Sequence, residues 1–295
     1  MGKIVEHRVA GGIIGLVVGD ALGVPVEFVP RAHLAAKPVT KMIGHGTYDQ
    51  PAGTWSDDSS MTLATVESLI AANGYNKRDM AKKFVAWMEC AHYTPGGVTF
   101  DVGMTTRQAL LLGHGLTSEL SNGNGSLMRM APLALWKGAT DEMIESASGI
   151  THAHPRSVLG CLLYCDIIRA LTKRATVPEA IEIALDKRAE YPEIEQYKRL
   201  ARLGELKESD IESSGYIVHT LEAALWCAMT TDRYRDCVLK AVNLGRDTDT
   251  VAAVAGSIAG VIYGLAGIPK TWIATLKRGN YVVETANIFE AWCKQ

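Results

Sequence analysis

The chain has 295 residues, of which 47% are hydrophobic and 21% charged, a balance typical of one large globular domain or two small ones. Lys and Arg number 30 and Asp and Glu 32, so the formal net charge of -2 gives no electrostatic reason to expect nucleic acid or an anionic membrane as a partner. The six cysteines include no CxxC pair, which argues against a zinc or redox site. They lie mostly in apolar stretches, which favours a reducing cytoplasm as the compartment.

Taken in chain order, the sequence is dominated by helical patterns. The first apolar stretch, 13–18, is followed by Asp20 and by no evident cleavage site, so no signal peptide is predicted. Alternation of apolar and polar residues is nearly absent, which predicts an all-α protein, most simply one domain over 1–295. Apolar residues at helical spacing predict helices over 62–70, 80–88, 128–136, 159–171, 177–184, 217–229, 237–244, 251–265 and 283–292.

An uncharged stretch, 250–266, is about as long as a short membrane span. It is rich in Gly and Ala and begins on polar residues, which predicts a helix buried inside a globular protein and no membrane segment. Several loops precede helical stretches and hold Gly, Pro, Asp or Asn. Helix N-termini that carry carboxylates and free N–H groups can converge on one site. These loops are 19–29, 44–58, 93–101, 121–126 and 245–249.

Two acidic motifs at the starts of predicted helices carry the chemistry, Ser56-Asp57-Asp58 and Asp247-Thr248-Asp249-Thr250. The plain alternative is that these residues are N-terminal helix caps, for which Ser and Asp are preferred. One cap explains one residue of each motif, however, and neighbouring carboxylates repel unless a cation, a proton or a strong donor lies between them. Carboxylate and hydroxyl oxygens suit hard cations such as Mg²⁺ or Mn²⁺. The pattern alone leaves both interpretations open.

Other candidate site residues each give only a weak signal when taken alone. Glu27 follows an apolar loop and is either a buried functional carboxylate or a surface residue after a turn. The segment 122–126, Asn-Gly-Asn-Gly-Ser, can turn its N–H groups toward an anion, or it is an ordinary turn. His152 and His154 do not share a helix face, so one of them is expected to line a pocket. Tyr216 either stacks on a base or ribose or is a residue at the edge of the core.

In this order and over about 11–267, these motifs make the chain resemble the ADP-ribosylglycohydrolase family, which includes dinitrogenase reductase-activating glycohydrolases and animal ADP-ribosylhydrolases. The motifs are the glycine-rich 15–23, Ser56-Asp57-Asp58-Ser59, 122–129, 151–155, 213–216 and Gly245-Arg246-Asp247-Thr248-Asp249-Thr250. The resemblance implies a compact all-α fold, an orthogonal helical bundle with two Mg²⁺ or Mn²⁺ ions in a central cleft. It also implies hydrolysis of the glycosidic bond between ADP-ribose and a protein side chain such as arginine, or a small ADP-ribose conjugate. A monomer is expected, although the sequence itself does not show the oligomeric state.

The resemblance also assigns roles to residues. The metal ligands it implies are Ser56, Asp57, Asp58, Asp247, Asp249 and Thr250. The catalytic group it implies is Glu27, Asp58, Asp101 and Asp249, with Glu27 or Asp101 orienting or deprotonating the attacking water. The substrate contacts it implies are Gly123, Asn124, Gly125, Ser126 and Met128 for the diphosphate, and His152, His154, Gly215 and Tyr216 for the adenosine ribose. Arg246 is a further candidate substrate contact, because its position brings a cation close to the metals and the phosphates.

Three positions depart from the family pattern. Ser56 stands for the usual Thr and keeps the ligand oxygen. Arg246 stands for a common Gly, and its side chain either binds substrate or points to the surface. Met104 stands where the dinitrogenase-activating enzymes have Asn. Two alternative functions remain at this level, an ADP-ribose-binding protein without turnover and a dimetal pyrophosphohydrolase.

Overall fold

The computed structural model describes residues 7–295, which are almost entirely helical and contain isolated β-bridges but no strand. The all-α fold is confirmed for this part of the chain. Buried hydrophobic side chains from most of the helices form one core cluster. The α-helices are α1 Arg8–Gly23, α2 Arg31–Ala36, α3 Asp57–Ala71, α4 Lys77–Cys90, α5 Met104–Leu112, α6 Ala131–Leu135, α7 Asp141–Ser148, α8 Pro155–Thr172, α9 Val177–Lys187, α10 Ile217–Met229, α11 Tyr234–Asn243, α12 Thr248–Tyr263, α13 Lys270–Thr275 and α14 Gly279–Trp292.

The sequence pattern locates most long helices but not every boundary. The predicted helix 128–136 is divided into a 3₁₀ turn, Leu127–Arg129, and α6. Pro132 explains the division, because proline fits the first turn of a helix but cannot donate a backbone hydrogen bond within one. The helix predicted over 251–265 ends at Tyr263, where Gly264 takes a positive φ of 67°.

Helices α1 and α12 pack against each other at the centre of the protein. The segment Arg8–Val26 is apolar and long enough to cross a membrane, but 94% of its most apolar window is buried inside the protein. A core helix of a globular protein meets the same criteria of length and composition, and the burial fits that interpretation.

Glycines at intervals of four residues on α1 allow its backbone to contact that of α12. A Cβ at Gly15 would lie 2.4 Å from the carbonyl oxygen of Gly256, and a Cβ at Gly19 would lie 2.0 Å from that of Ala252. At the end of α1, a Cβ at Gly23 would lie 2.4 Å from the Asp249 Cα. This close approach sets the start of α12, and with it one of the acidic motifs, directly against the end of α1.

The substitution Gly19→Ala is therefore expected to lower the free energy of unfolding by about 3 kcal/mol, because the helices must separate to admit the methyl group. Urea unfolding followed by circular dichroism measures this change. Gly204→Ala is the matched control, since its Cβ would meet nothing closer than the Met229 Cε at 3.6 Å, and its effect should stay within about 0.5 kcal/mol. Equal effects of the two substitutions would contradict this account of the α1–α12 contact.

Candidate metal centre and active site

The two acidic motifs lie together although almost two hundred residues separate them in sequence. Asp57 and Asp58 begin α3, and Asp249 and Thr250 lie in the first turn of α12. The Asp58 Oδ2 accepts hydrogen bonds from the Ser56 Oγ at 3.0 Å and from the Thr250 Oγ1 at 3.4 Å. The residues at the N-cap positions, Ser56 and Asp247, make no side-chain capping hydrogen bond. Helix capping therefore does not explain these motifs.

Asp249 belongs to two groups of carboxylates. Its oxygens lie with those of Asp20 and Asp58 within 4.8 Å of one another, and within the same distance of those of Glu27 and Asp101. No Lys or Arg side chain forms an ion pair with any of the five in the part of the chain that the structure describes. A cluster of this kind needs protons or cations to hold it together.

Three buried carboxylate oxygens of the two acidic motifs, the Asp58 Oδ1, the Asp247 Oδ1 and the Asp249 Oδ2, have no hydrogen-bond partner among residues 7–295. Buried carboxylate oxygens are usually hydrogen-bonded, because leaving one unpartnered costs about 1–3 kcal/mol or more. Hard divalent cations bind such oxygens. The donor set and its unpartnered atoms therefore fit a metal ion of this class.

The protonation of the cluster follows from its burial. Burial raises the pKa of Asp57, Asp58 and Asp249 well above the usual range. Nearby carboxylates raise these pKa values further, chiefly Asp101 for Asp57, Asp20 for Asp58, and Glu27 for Asp249. In the metal-free protein the cluster thus retains protons at pH values where carboxyl groups are normally ionised.

Glu27 lies just beyond the 3₁₀ turn that follows α1, where it is almost fully buried. The Tyr48 hydroxyl donates a hydrogen bond of 2.6 Å to the Glu27 Oε2. Burial, with a further contribution from Asp101, raises the pKa of Glu27 to about 9, although the hydrogen bond from Tyr48 opposes the shift. Tyr48 was not predicted as a site residue, since nothing in its loop distinguishes it in sequence.

Asp20 is a second residue that sequence reasoning did not assign to the site. It is fully buried on α1, and its carboxylate accepts hydrogen bonds from the backbone N–H and the hydroxyl of both Ser56 and Ser59. A charged residue within an apolar helix was the available signal. Asp20 fixes the loop and first turn that carry Asp57 and Asp58, so it is a positioning residue for the cluster.

The substitution Asp20→Asn places an amide group where the serines donate hydrogen bonds, and it keeps the side-chain volume. We expect the affinity for Mg²⁺ or Mn²⁺, measured by isothermal titration calorimetry, to fall about 10–100-fold. Asp236→Asn, on an acid that pairs with Arg233 at the surface, is the control. Unchanged cation affinity in Asp20→Asn would show that the four hydrogen bonds do not position the ligands.

The cluster forms one wall of a cleft of about 400 Å³, here called the acidic cleft. Among the described residues, four carboxylates and no Lys or Arg line it. Phe28 and Met104, which are 66% and 88% exposed, also line it and give it an apolar rim. The lining residues are Glu27, Phe28, Asp57, Asp101, Gly103, Met104, Thr105, Thr106, Gly123, Asn124, Gly125, Met128, His152, Gly215, Asp247 and Thr250.

The Asn-Gly segment and His152 face the metal-ligand motifs across this cleft. The N–H groups of Gly123 and Gly125 donate to no backbone acceptor within residues 7–295, which leaves both available to a ligand. A Cβ at Gly125 would lie 2.8 Å from the His152 Cε1, so the backbone there approaches the ring closely. Burial, with the nearby Arg129 guanidinium, lowers the pKa of His152 to about 3, and the ring is therefore neutral at physiological pH.

The side chain of Asn124 has a structural role beyond the predicted substrate contact. Its Nδ2 donates to the Asp247 Oδ2 at 2.8 Å and to the Thr220 Oγ1 at 2.9 Å. Its backbone N–H donates to the Gly215 carbonyl at 3.0 Å. Asn124 thereby connects the Asn-Gly segment to the second acidic motif and orients a carboxylate of the site.

Four predicted substrate contacts do not line the acidic cleft. Ser126 is fully buried, with its hydroxyl accepting a hydrogen bond from Ser148. His154 caps α8 and pairs with Glu119, and Tyr216 lies at the N-cap of α10 with its ring against His219. The Arg246 side chain is 59% exposed and pairs with Glu212.

The backbone explains the position of Arg246. Its φ is +64°, and it exchanges backbone hydrogen bonds with the segment that follows Glu27, through the Phe28 N–H and the Val29 carbonyl. Of the two alternatives for Arg246, the structure places the side chain at the surface. Its backbone holds the loop of Glu27 against the second acidic motif.

A helical fold that buries carboxylates with unpartnered oxygens beside an open cleft has the donor set for hard cations, which many hydrolases use to activate water. Comparisons with known proteins identify the family. A sequence profile of the ADP-ribosylglycohydrolase family matches residues 1–295, and the chain belongs to this family. The match to this family confirms the expected activity, which is hydrolysis of ADP-ribosyl glycosidic bonds.

Two relatives and one solved structure illustrate the similarity. The chain is 35% identical to the ADP-ribosylarginine hydrolase Tri1 of Serratia proteamaculans, over 91% of this chain and 75% of that protein. It is 32% identical to the ADP-ribosyl-[dinitrogen reductase] glycohydrolase of Rhodospirillum rubrum, over 93% and 92% of the two chains. A solved structure described as an ADP-ribosylglycohydrolase-related protein complex matches with a TM-score of 0.83 and 30% identity, over 98% of each chain.

Proposed function

We propose that this enzyme removes ADP-ribose from arginine side chains of proteins and that it uses two Mg²⁺ or Mn²⁺ ions in the acidic cleft. The observation that carries the proposal is that three buried carboxylate oxygens of the two acidic motifs lack a hydrogen-bond partner among residues 7–295. That Asp249 belongs to two carboxylate groups at once supports two ions rather than one. The residues that would hold them are Ser56, Asp57, Asp58, Asp247, Asp249 and Thr250.

The acceptor is proposed from the charge of the cleft and from its relatives. Of the four carboxylates that line the acidic cleft, Asp57 and Asp247 are proposed metal ligands, whereas Glu27 and Asp101 are not. These two carboxylates, with no Lys or Arg from residues 7–295 among the lining residues, favour a cationic guanidinium over a neutral hydroxyl acceptor. Two relatives more than 30% identical, from Serratia proteamaculans and Pseudomonas putida, are named ADP-ribosylarginine hydrolases. The free N–H groups of Gly123 and Gly125 are the proposed donors to the diphosphate.

The chemistry then assigns roles to the side chains. Divalent cations, when bound, neutralise the carboxylates and lower the pKa of a coordinated water. Glu27, held by Tyr48, accepts a proton from the attacking water. The C–N bond to the anomeric carbon breaks as the C–O bond forms, and a guanidinium leaves as neutral guanidine, which afterwards takes up the proton. Asp101 lines the cleft beside Glu27 and orients the same water.

A substrate panel with mass spectrometry of the products tests the proposal. Arginine-linked and serine-linked ADP-ribosyl peptides and a small ADP-ribose ester are incubated with the enzyme in EDTA, Mg²⁺ or Mn²⁺. We expect intact ADP-ribose from the arginine peptide, and only with a cation. AMP with ribose 5-phosphate would instead indicate a pyrophosphohydrolase, and binding without turnover on any substrate would indicate a binding protein.

We further propose that the enzyme is a cytoplasmic monomer. Four of its six cysteines are fully buried free thiols, a pattern suited to a reducing compartment. Light scattering of the purified protein tests the oligomeric state, and a mass of about 32 kDa is expected. Fractionation of the source cells tests the compartment.

A further inference from the structure

A second concave site lies between α4 and α5 and shares no lining residue with the acidic cleft. This α4–α5 cavity has a volume of about 570 Å³, within the range of roughly 300–1,000 Å³ typical of small-molecule sites. Its lining residues are Lys77, Arg78, Ala81, Lys82, Val85, Ala109, Leu110, Gly113, His114, Gly149 and Ile150.

The apolar part of the cavity comes from both helices and from the turn after α7. Ala109, Leu110 and Ile150 are buried, and Ala81 and Val85 are half-buried on the facing side of α4. These side chains offer a hydrocarbon surface that water solvates poorly. A flat ring system placed on this surface would remove it from water.

The charged side chains that line the cavity are all positive. Lys77, Arg78 and Lys82 occupy one side of α4 and are exposed, and no carboxylate is among the lining residues. None of the three side chains forms an ion pair or a hydrogen bond within the part of the chain that the structure describes.

The fourth cation of the same helix is paired. Lys83 lies next in sequence but pairs with Asp79, whose carboxylate also accepts a hydrogen bond of 2.6 Å from the Ser68 hydroxyl. Asp79, the acid on α4 nearest to these cations, therefore bonds to Lys83 and Ser68 and not to a cation of the cavity. Three unpaired cations beside an apolar surface are complementary to an anion that carries an apolar body.

From this geometry we infer that the α4–α5 cavity binds a small aromatic organophosphate. The phosphate lies against Lys77, Arg78 and Lys82, and the ring lies on the apolar surface between Ala81 and Leu110. The inference does not depend on the reaction of the acidic cleft. Helix α5 nevertheless reaches both sites, since Met104 and Thr106 in its first turns line the acidic cleft and its C-terminal half lines this cavity.

Binding of 1-naphthyl phosphate to the full-length protein in Mg²⁺, in a phosphate-free buffer, tests the inference by isothermal titration calorimetry. We expect a Kd below about 1 mM. Inorganic phosphate lacks the aromatic ring and 1-naphthol lacks the phosphate, so each is expected to bind at least about tenfold more weakly. Equal affinity for inorganic phosphate, or no binding of the naphthyl ester up to several millimolar, would overturn the inference.

Variants distinguish this cavity from the acidic cleft, whose cations could also bind a phosphate ester. Lys77→Gln/Lys82→Gln should weaken binding at least about tenfold, because two charge-assisted hydrogen bonds are lost. Ala81→Phe should prevent binding by filling the half-buried apolar surface. Lys83→Gln is the matched control on the same helix and should bind as the wild type does. Wild-type affinity in the double variant and in Ala81→Phe would reject the cavity as the site.

Discussion

Asp249→Asn is expected to lower the rate of ADP-ribose release at least about 10³-fold while making the metal-free protein more stable. The activity is lost because Asp249 lies within 4.8 Å of both carboxylate groups, Asp20 with Asp58 and Glu27 with Asp101. An amide cannot supply the anionic oxygen that a hard cation requires. Initial rates on an ADP-ribosylated arginine peptide at saturating Mg²⁺ measure the loss.

The gain in stability has a separate physical cause. Asp249 is fully buried, its Oδ1 accepts the Thr250 N–H at 2.9 Å, and its Oδ2 has no partner within residues 7–295. Keeping Asp249 protonated in the folded metal-free protein at neutral pH costs free energy, because burial and the neighbouring Glu27 and Asp58 raise its pKa well above the ordinary value of 3.8. The neutral amide of Asn avoids this cost. We expect the melting temperature in EDTA to rise by about 3–6 °C.

The exposed Asp232 provides the control, since Asp232→Asn should change neither the rate nor the melting temperature. A residue with a purely structural role would lower both quantities when replaced. A lower melting temperature of Asp249→Asn in EDTA, or retention of a tenth or more of the activity, would therefore contradict the assignment of Asp249 to the metal centre.

The metal-free protein is expected to lose stability as the pH rises from about 7 to 8.5. A carboxyl group whose pKa is higher in the folded protein than in the unfolded chain binds more protons when folded, so its contribution to stability is lost as the pH rises toward the folded pKa. Burial and Asp101 raise the pKa of Glu27 from 4.5 to about 9, and those of Asp57, Asp58 and Asp249 also rise well above the usual range.

The choice of window separates these carboxyl groups from Asp20 and from the histidines. Asp20, with a pKa of about 6, and His152, with a pKa of about 3, have largely finished titrating in the folded state below pH 7. The unfolded-state pKa of histidine, 6.5, also lies below the window. Differential scanning calorimetry in EDTA should show a fall in melting temperature of about 4 °C or more across it.

Saturating Mg²⁺ should reverse this trend, because cations and protons compete for the same oxygens. At a concentration of 100 times its Kd, the ion should stabilise the protein by about 2.7 kcal/mol, and more strongly at the higher pH. Asp249→Asn should show a smaller pH dependence in EDTA and little response to Mg²⁺. A melting temperature that rises with pH in EDTA would contradict the protonated cluster.

Local patterns in the sequence determined the helical class and most of the long helices, because helix periodicity and the signals for helix starts each span only about ten consecutive residues. They also located both acidic motifs. Whether these motifs were caps or ligands was not determined locally, since Ser and Asp suit both roles. The ordered set of motifs, as a resemblance, correctly indicated the family and its reaction.

Only the tertiary structure decided which groups meet. Asp20 accepts a hydrogen bond from Ser56, 36 positions away, and Tyr48 donates one to Glu27, 21 positions away. Contacts between residues so far apart leave no local pattern in the sequence. The glycines of α1 set the distance between α1 and α12, which brings Gly23 against Asp249 and joins the two motifs. Arg246 shows the same limit, because its side chain pairs with Glu212 at the surface and does not line the acidic cleft. Residue types are thus fixed along the chain, whereas their distances and burial, and therefore their pKa values, arise only when distant segments pack together.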